Sequence, residues 1–155
     1  MVTLTEGSKA PTLSGKDQNG KVVSLSNYRG RRVVLYFYPE DDTPTCTIQA
    51  CNLRDNYSLL KKEGFVVIGV SPDTQKSHKK FEAKFRLPFT LISDPDHKIL
   101  ETYGVWDEKT TFGNTHMGVL RTTFVIDEEG IIRKIFLRPK NKEHAEEIVA
   151  AWKNK

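Results

Sequence analysis

The chain holds two cysteines in 155 residues, and they stand five apart in Tyr36-Phe37-Tyr38-Pro39-Glu40-Asp41-Asp42-Thr43-Pro44-Thr45-Cys46-Thr47-Ile48-Gln49-Ala50-Cys51. That spacing points to redox chemistry. Apolar Val33 to Tyr38 reads as a strand and the acids after it as a turn. Thr43-Pro44 then supplies an N-cap followed by proline at the first helical position. Cys46 is thereby expected in a helix's first turn, where unpaired backbone N–H groups and the positive end of the helix dipole favour thiolate over thiol. With 1.5 Å and 100° per residue, a separation of five puts the two Cα atoms roughly 8 to 9 Å apart and about 140° around the helix axis. A disulfide needs Cα atoms within about 7 Å, so Cys46 and Cys51 can be joined only if the helix opens.

The elements that must position this segment follow from the hydrophobic pattern. Leu13 to Lys16 and Val22 to Leu25 flank Asn19-Gly20 and predict a hairpin of edge strands. Arg32 to Tyr38 has apolar residues on both faces, as a central strand covered on both sides requires. One helix is expected from Thr43 through Leu53, Tyr57 and Leu60 to a stop at Gly64, followed by a buried strand over Phe65 to Val70. Ser71-Pro72-Asp73 opens a further helix that ends at Pro88, before a short strand from Phe89 to Ile92. His97 to Tyr103 reads as a short helix closed by Gly104, and Asp107 to His116 as an exposed polar loop. Strands over Arg121 to Ile126 and Ile131 to Phe136, joined at Asp127-Glu128-Glu129-Gly130, precede an amphipathic helix from Glu143 to Trp152. This order is an α/β arrangement with helices on both faces of a mixed sheet, and it resembles a thioredoxin-like fold with an N-terminal β-hairpin extension.

Composition narrows the classes. A chain of 155 residues with 37% hydrophobic content suits one domain spanning 1–155. The start shows no signal-like segment, and no apolar run reaches about 18 residues, so a soluble cytoplasmic protein is expected. In a reducing cytosol a cysteine pair is catalytic more often than structural. The net charge is +4, with lysines interleaved among acids. They read as solvated helix faces rather than as a nucleic-acid surface. His78, His97, His116 and His144 have no ligand spacing and are expected to be solvated, so no metal or cofactor is called for. Phe81, Phe85 and Trp152 are expected in the core. Trp106 and Phe112 are candidates for a collar at the mouth of the site or for ordinary packing.

Pro39-x-x-x-Thr43-x-x-Cys46 resembles the active-site motif of the peroxiredoxins, and a second cysteine five residues on is similar to the bacterioferritin comigratory protein, or peroxiredoxin Q, subfamily. Further matches run along the chain: Gly7-x-x-Ala10-Pro11, Leu25-Ser26-x-Tyr28-x-Gly30, Gly69-Val70-Ser71-x-Asp73 and Arg121-x-x-Phe124-x-Ile126-Asp127. The resemblance implies a thiol peroxidase for hydrogen peroxide and organic hydroperoxides, with Cys46 as peroxidatic thiolate and Cys51 as resolving thiol. Thr43 would hold sulfur and peroxide in line, Arg121 would favour the thiolate and bind peroxide oxygen, and Pro39 would shield the pocket. Thioredoxin or a similar dithiol is the implied reductant, and a resolving thiol in the same chain makes a monomer sufficient. Two positions depart from the pattern. Thr45 stands where glycine is common, and Gln49 where the subfamily usually carries glutamate. Two other functions compete. A thiol-disulfide oxidoreductase is opposed by the missing C-x-x-C and by Gly118-Val119-Leu120-Arg121-Thr122, which lacks the proline such enzymes place against their cysteines. A non-enzymatic redox-sensing module, switched by unfolding of the helix, is the other.

Overall fold

The computed structural model describes residues 2–154, and Thr111 by its backbone alone. Strands β1 (Ser14–Lys16), β2 (Val22–Ser24), β3 (Arg32–Phe37), β4 (Phe65–Ser71), β5 (Thr90–Ser93), β8 (Thr122–Ile126) and β9 (Ile132–Phe136) form a seven-stranded sheet. Its order is β2-β1-β5-β4-β3-β8-β9. β3, β4 and β5 run parallel, and β8 is antiparallel to β3. Helices α1 (Pro44–Asp55), α2 (Tyr57–Lys62), α3 (Gln75–Phe85), α4 (Lys98–Thr102) and α5 (His144–Lys153) fill the connections.

β3 explains how two cores form. Successive side chains in a strand point to opposite faces, and none of Val33 to Tyr38 is more than 1% exposed. Val33, Leu35 and Phe37 enter a core with Ile99, Leu100 and Tyr103 from the α4 region. Val34, Tyr36 and Tyr38 enter a second core with Cys46, Ala50 and Leu53 of α1, Leu60 of α2, Phe81 of α3 and Ile148 of α5. Burying each large apolar side chain contributes about 1.5–3 kcal/mol, so this doubly covered strand is the rigid member from which the cysteine segment departs. Gly69 on β4, opposite Tyr36, is required by close approach. A Cβ there would meet the Tyr36 ring at 2.9 Å.

Four expectations are corrected. The helix read as continuous from Thr43 to Gly64 breaks at Asn56, whose side-chain amide donates to the Asn52 carbonyl (2.9 Å) and competes with the helical ladder. Asp107 to His116 is not a loop. It lies in a hairpin of β6 (Trp106–Thr111) and β7 (Asn114–Val119), turned by Phe112 and Gly113 at φ +53° and +81°. Charged residues on both faces of β6 hide the alternation that marks a strand. β1 is not an edge strand, since it pairs with β5 as well as β2. His78 and His144 are not solvated; both are fully buried. His144 keeps its polarity satisfied through Thr123 Oγ1 (2.8 Å) and Glu147 Oε1 (2.7 Å). His97 is half-buried against the Trp106 ring, and His116 is exposed. Phe81 is buried as expected, while Phe85 and Trp152 are half-buried against the second core. Among the described residues no helix is long and apolar enough to cross a membrane.

Candidate active site

The site is assembled by the sheet register. β8 pairs with β3 as far as Thr122 opposite Phe37, so Arg121, one residue before, stands where the chain leaves β3 for α1. That turn is Tyr38 to Asp42, with Asp42 at φ +58°. Thr43 then occupies the N-cap with extended backbone, and Pro44 opens α1. Proline has no N–H, and the first helical bond is Thr47 N–H to Thr43 C=O (2.8 Å). The amides of Thr45 and Cys46 therefore lie at the open, positive end of the helix. The Thr43 hydroxyl departs from the expected cap. It donates back to the Glu40 carbonyl (3.0 Å) instead of accepting from the first turn.

Cys46, Gln49, Ala50 and Leu53 form the buried face of α1 at i, i+3, i+4, i+7. Cys46 is 2% exposed. Arg121 reaches it directly. Its Nη2 donates to Cys46 Sγ at 3.1 Å and its Nη1 to Gln49 Oε1 at 2.8 Å. Cys51 lies off this face and is only half-buried; both thiols are free. Burial first, and the Asp55 carboxylate after it, push the Cys51 thiol above the usual thiol range, against the pull of Arg54. Both effects favour the thiol form of Cys51 in the folded chain. Pro39 stands half-buried at the start of the turn.

Several neighbours carry no sequence signal. Tyr36 extends from β3 into the same region, and its buried hydroxyl has no hydrogen-bond partner among the described residues. Burial chiefly, with Cys46 and Asp41, pushes its ionisation well above the ordinary tyrosine range, so it stays neutral. Lys109 on β6 lies over Gly118, where a Cβ would come within 2.8 Å of its Cδ, and donates to the Val119 carbonyl (2.9 Å). Burial and then Arg121 lower its pKa while Cys46 raises it, which puts the ammonium in the field of both. The collar candidates do not meet here. Trp106 stacks on His97 (3.8 Å between ring centroids), and Phe112 is fully exposed at the hairpin tip.

A thiol with a guanidinium on its sulfur, at a helix N-terminus and screened from water, is placed to act as a nucleophile. Comparison with known proteins agrees with that chemistry. Residues 7–135 match the model of the AhpC/TSA family. The chain is 44% identical over 153 residues to peroxiredoxin Bcp of Bacillus subtilis, covering 99% of this chain and 98% of that one. It is 45% identical over 148 residues to a putative peroxiredoxin bcp of Coxiella burnetii, covering 96% and 98%. The solved structure of the Xanthomonas campestris bacterioferritin comigratory protein, described for its alkyl peroxide reduction activity, superposes with a TM-score of 0.85 at 32% identity, over 92% of this chain and 90% of that one. On the full-length match and the buried thiol site together, the chain belongs to the AhpC/TSA family, among the Bcp or peroxiredoxin Q enzymes, and is a thiol-dependent peroxidase.

Proposed function

We propose that Cys46 is the peroxidatic thiolate and Cys51 the resolving thiol of an intramolecular two-cysteine cycle. The observation that carries this is the Arg121 guanidinium donating at once to Cys46 Sγ and Gln49 Oε1. Cys46 S⁻ attacks the terminal oxygen of the hydroperoxide. The S–O bond forms as the O–O bond breaks, and the departing alkoxide or hydroxide takes a proton to leave as alcohol or water. Sulfur is oxidised to sulfenic acid and the peroxide is reduced. Arg121 stabilises the thiolate and, with the amides of Thr45 and Cys46, the oxygen that gains charge. The Thr43 hydroxyl lies one turn before the sulfur and turns toward peroxide from its resting bond to Glu40. Pro39 limits water at the mouth.

The second step needs the helix to open, because an intact turn keeps the two cysteines about 8 to 9 Å apart. Once released from burial, Cys51 attacks the Cys46 sulfenic sulfur, the S–S bond forms and water leaves. An external dithiol, thioredoxin or one like it, reduces the disulfide by exchange. Hydrogen peroxide and organic hydroperoxides are the substrates. One chain of a single domain suffices for turnover, and the reading is of a cytoplasmic antioxidant enzyme acting as a monomer, with no cofactor needed for this chemistry.

Cysteine variants test the assignment. Cys46→Ser is expected to abolish peroxide consumption. Cys51→Ser is expected to react once and then hold a sulfenic acid, trapped with a dimedone-type reagent. Sustained turnover with thioredoxin in either variant overturns the assigned roles.

A further inference from the structure

The turn between β3 and α1 is fastened to α3 by a buried polar network that takes no part in the proposed catalytic cycle. Asp41 is buried, and His78 is fully so. Asp41 Oδ2 lies 2.7 Å from His78 Nδ1 and accepts from the Ser77 hydroxyl (2.8 Å), and Oδ1 accepts from the Tyr38 hydroxyl (2.6 Å). The Asp41 backbone N–H donates to Asp73 Oδ2 (2.8 Å), which also accepts from the Ser71 hydroxyl (2.7 Å). The other ring nitrogen, His78 Nε2, faces the Ile92 carbonyl at 3.0 Å. A carbonyl only accepts, so Nε2 carries a proton. The histidine thereby ties the turn to β5 as well as to α3. The next residue repeats the fastening, since Asp42 pairs with Lys84 of α3 at 2.7 Å. Asp41, Asp73 and His78 also bring ligand-type atoms within 4.8 Å of one another. Asp41 Oδ2, Asp73 Oδ2 and His78 Nδ1 are each already engaged in a hydrogen bond, so the cluster is a closed network rather than a cation cage.

A buried polar network is an expensive way to hold a turn, and specificity of conformation is what such a network can supply. Two residues after Asp41 comes Thr43, and five after it Cys46. We infer that the buried Asp41–His78 pair is a positioning device for Cys46, holding the folded arrangement in which the thiolate meets peroxide against the opened arrangement in which Cys51 reaches it. Among the described residues neither Asp41 nor His78 hydrogen-bonds to the Cys46 sulfur. They act by setting the balance between two states of the segment that follows. Loosening the clamp then moves the two chemical steps in opposite directions: fewer molecules present the folded pocket to peroxide, and more sulfenates meet Cys51. Slower loss of sulfenate to the resolving thiol favours over-oxidation to sulfinic acid, so a loosened clamp also protects the enzyme at high peroxide.

This inference rests on the roles proposed for Cys46 and Cys51, and the test separates the two. Reduced wild type, Asp41→Ala and Ser77→Ala are mixed with one equivalent of hydrogen peroxide, quenched at intervals with a thiol-blocking and a sulfenic-acid-trapping reagent, and followed by intact mass. The wild type must pass through sulfenic acid to an internal disulfide; if it does not, the proposed cycle fails before the clamp is judged. Given that cycle, Asp41→Ala is expected to slow sulfenate formation and to speed its conversion to disulfide, each by about threefold or more, and to accumulate less sulfinic acid at excess peroxide. Ser77→Ala removes one hydroxyl from a half-buried position and is expected to shift both steps the same way by less. It decides the matter alone if Asp41→Ala does not fold. Equal slowing of both steps marks a merely structural network and overturns the inference, as does no change in either.

Discussion

Arg121 has one sulfur and one amide to hold, and the amide is the unusual partner. Gln49 is fully buried, and because arginine only donates, its Oε1 must face Nη1, which leaves Nε2 without a partner among the described residues. An unsatisfied buried donor costs about 1–3 kcal/mol. Gln49→Glu removes that orphan but sets a carboxylate beside the guanidinium, in competition with the thiolate. The expected result is a smaller thiolate fraction at neutral pH and a peroxide step slower by about fivefold, an effect of about 1 kcal/mol. Thiolate absorbance across pH and the second-order peroxide rate constant check it; unchanged values sink the argument. Arg121→Ala takes a charged donor from the reacting centre and is expected to lower the peroxide rate constant by about 10²–10³. Arg121→Lys recovers part, since a lysine cannot bridge Cys46 and Gln49 with one planar fork. The sequence made Gln49 visible only as a departure from a pattern. That its carbonyl keeps the arginine contact a carboxylate would make depends on a rotamer, which no linear reading carries.

α1 is gripped unevenly along its length. Its C-terminal half is held by Asn52, whose Oδ1 accepts from Ala145 N–H (2.8 Å) and whose Nδ2 donates to Lys142 C=O (2.9 Å) and Glu146 Oε1 (3.0 Å). Arg54 adds a bond to the Phe85 carbonyl (2.7 Å). In the proposed cycle the segment that opens for disulfide formation is the one between Thr43 and Cys51, which ends before this grip begins. Asn52→Ala is expected to destabilise the protein by about 2 kcal/mol, lowering the thermal midpoint by roughly 5 °C for a chain of this size. A midpoint unchanged in thermal denaturation contradicts the grip described. β3, β4 and the start of α1 were legible because apolar runs, an N-cap and a proline are local signals. The break at Asn56 and the β6–β7 hairpin were not: the first turns on one side-chain amide competing for one carbonyl, and the second has polar residues on both faces. His78 and His144 were missed for a related reason. Their partners Asp41, Thr123 and Glu147 come mostly from distant segments, so burial looks unfavourable until the sheet brings them together.

Over the whole molecule, acid sensitivity follows from carboxylates satisfied only when folded. Burial alone would raise the pKa of Glu147, but hydrogen bonds from His144 and the Lys140 amide outweigh it and leave the group below its ordinary range. Asp127 behaves likewise through the Ile131 amide and Arg133. A depressed native pKa contributes stability that is present above the unfolded value, about 4.3 for glutamate, and is lost as pH falls through the native value. Glu147→Gln is expected to be less stable than wild type at pH 6, with the gap closing toward pH 3 in urea unfolding; a gap independent of pH contradicts this. The same dependence on the folded state runs through the catalytic account. In the proposed cycle an intact α1 presents Cys46 to peroxide, keeps Cys51 out of reach, and opens once per turnover. Intact mass of the reduced protein after one equivalent of hydrogen peroxide tests this most directly. The expected result is loss of two hydrogens in a chain that stays single, the bond lying between Cys46 and Cys51. A covalent dimer, or a chain that retains one added oxygen and forms no internal disulfide, contradicts it.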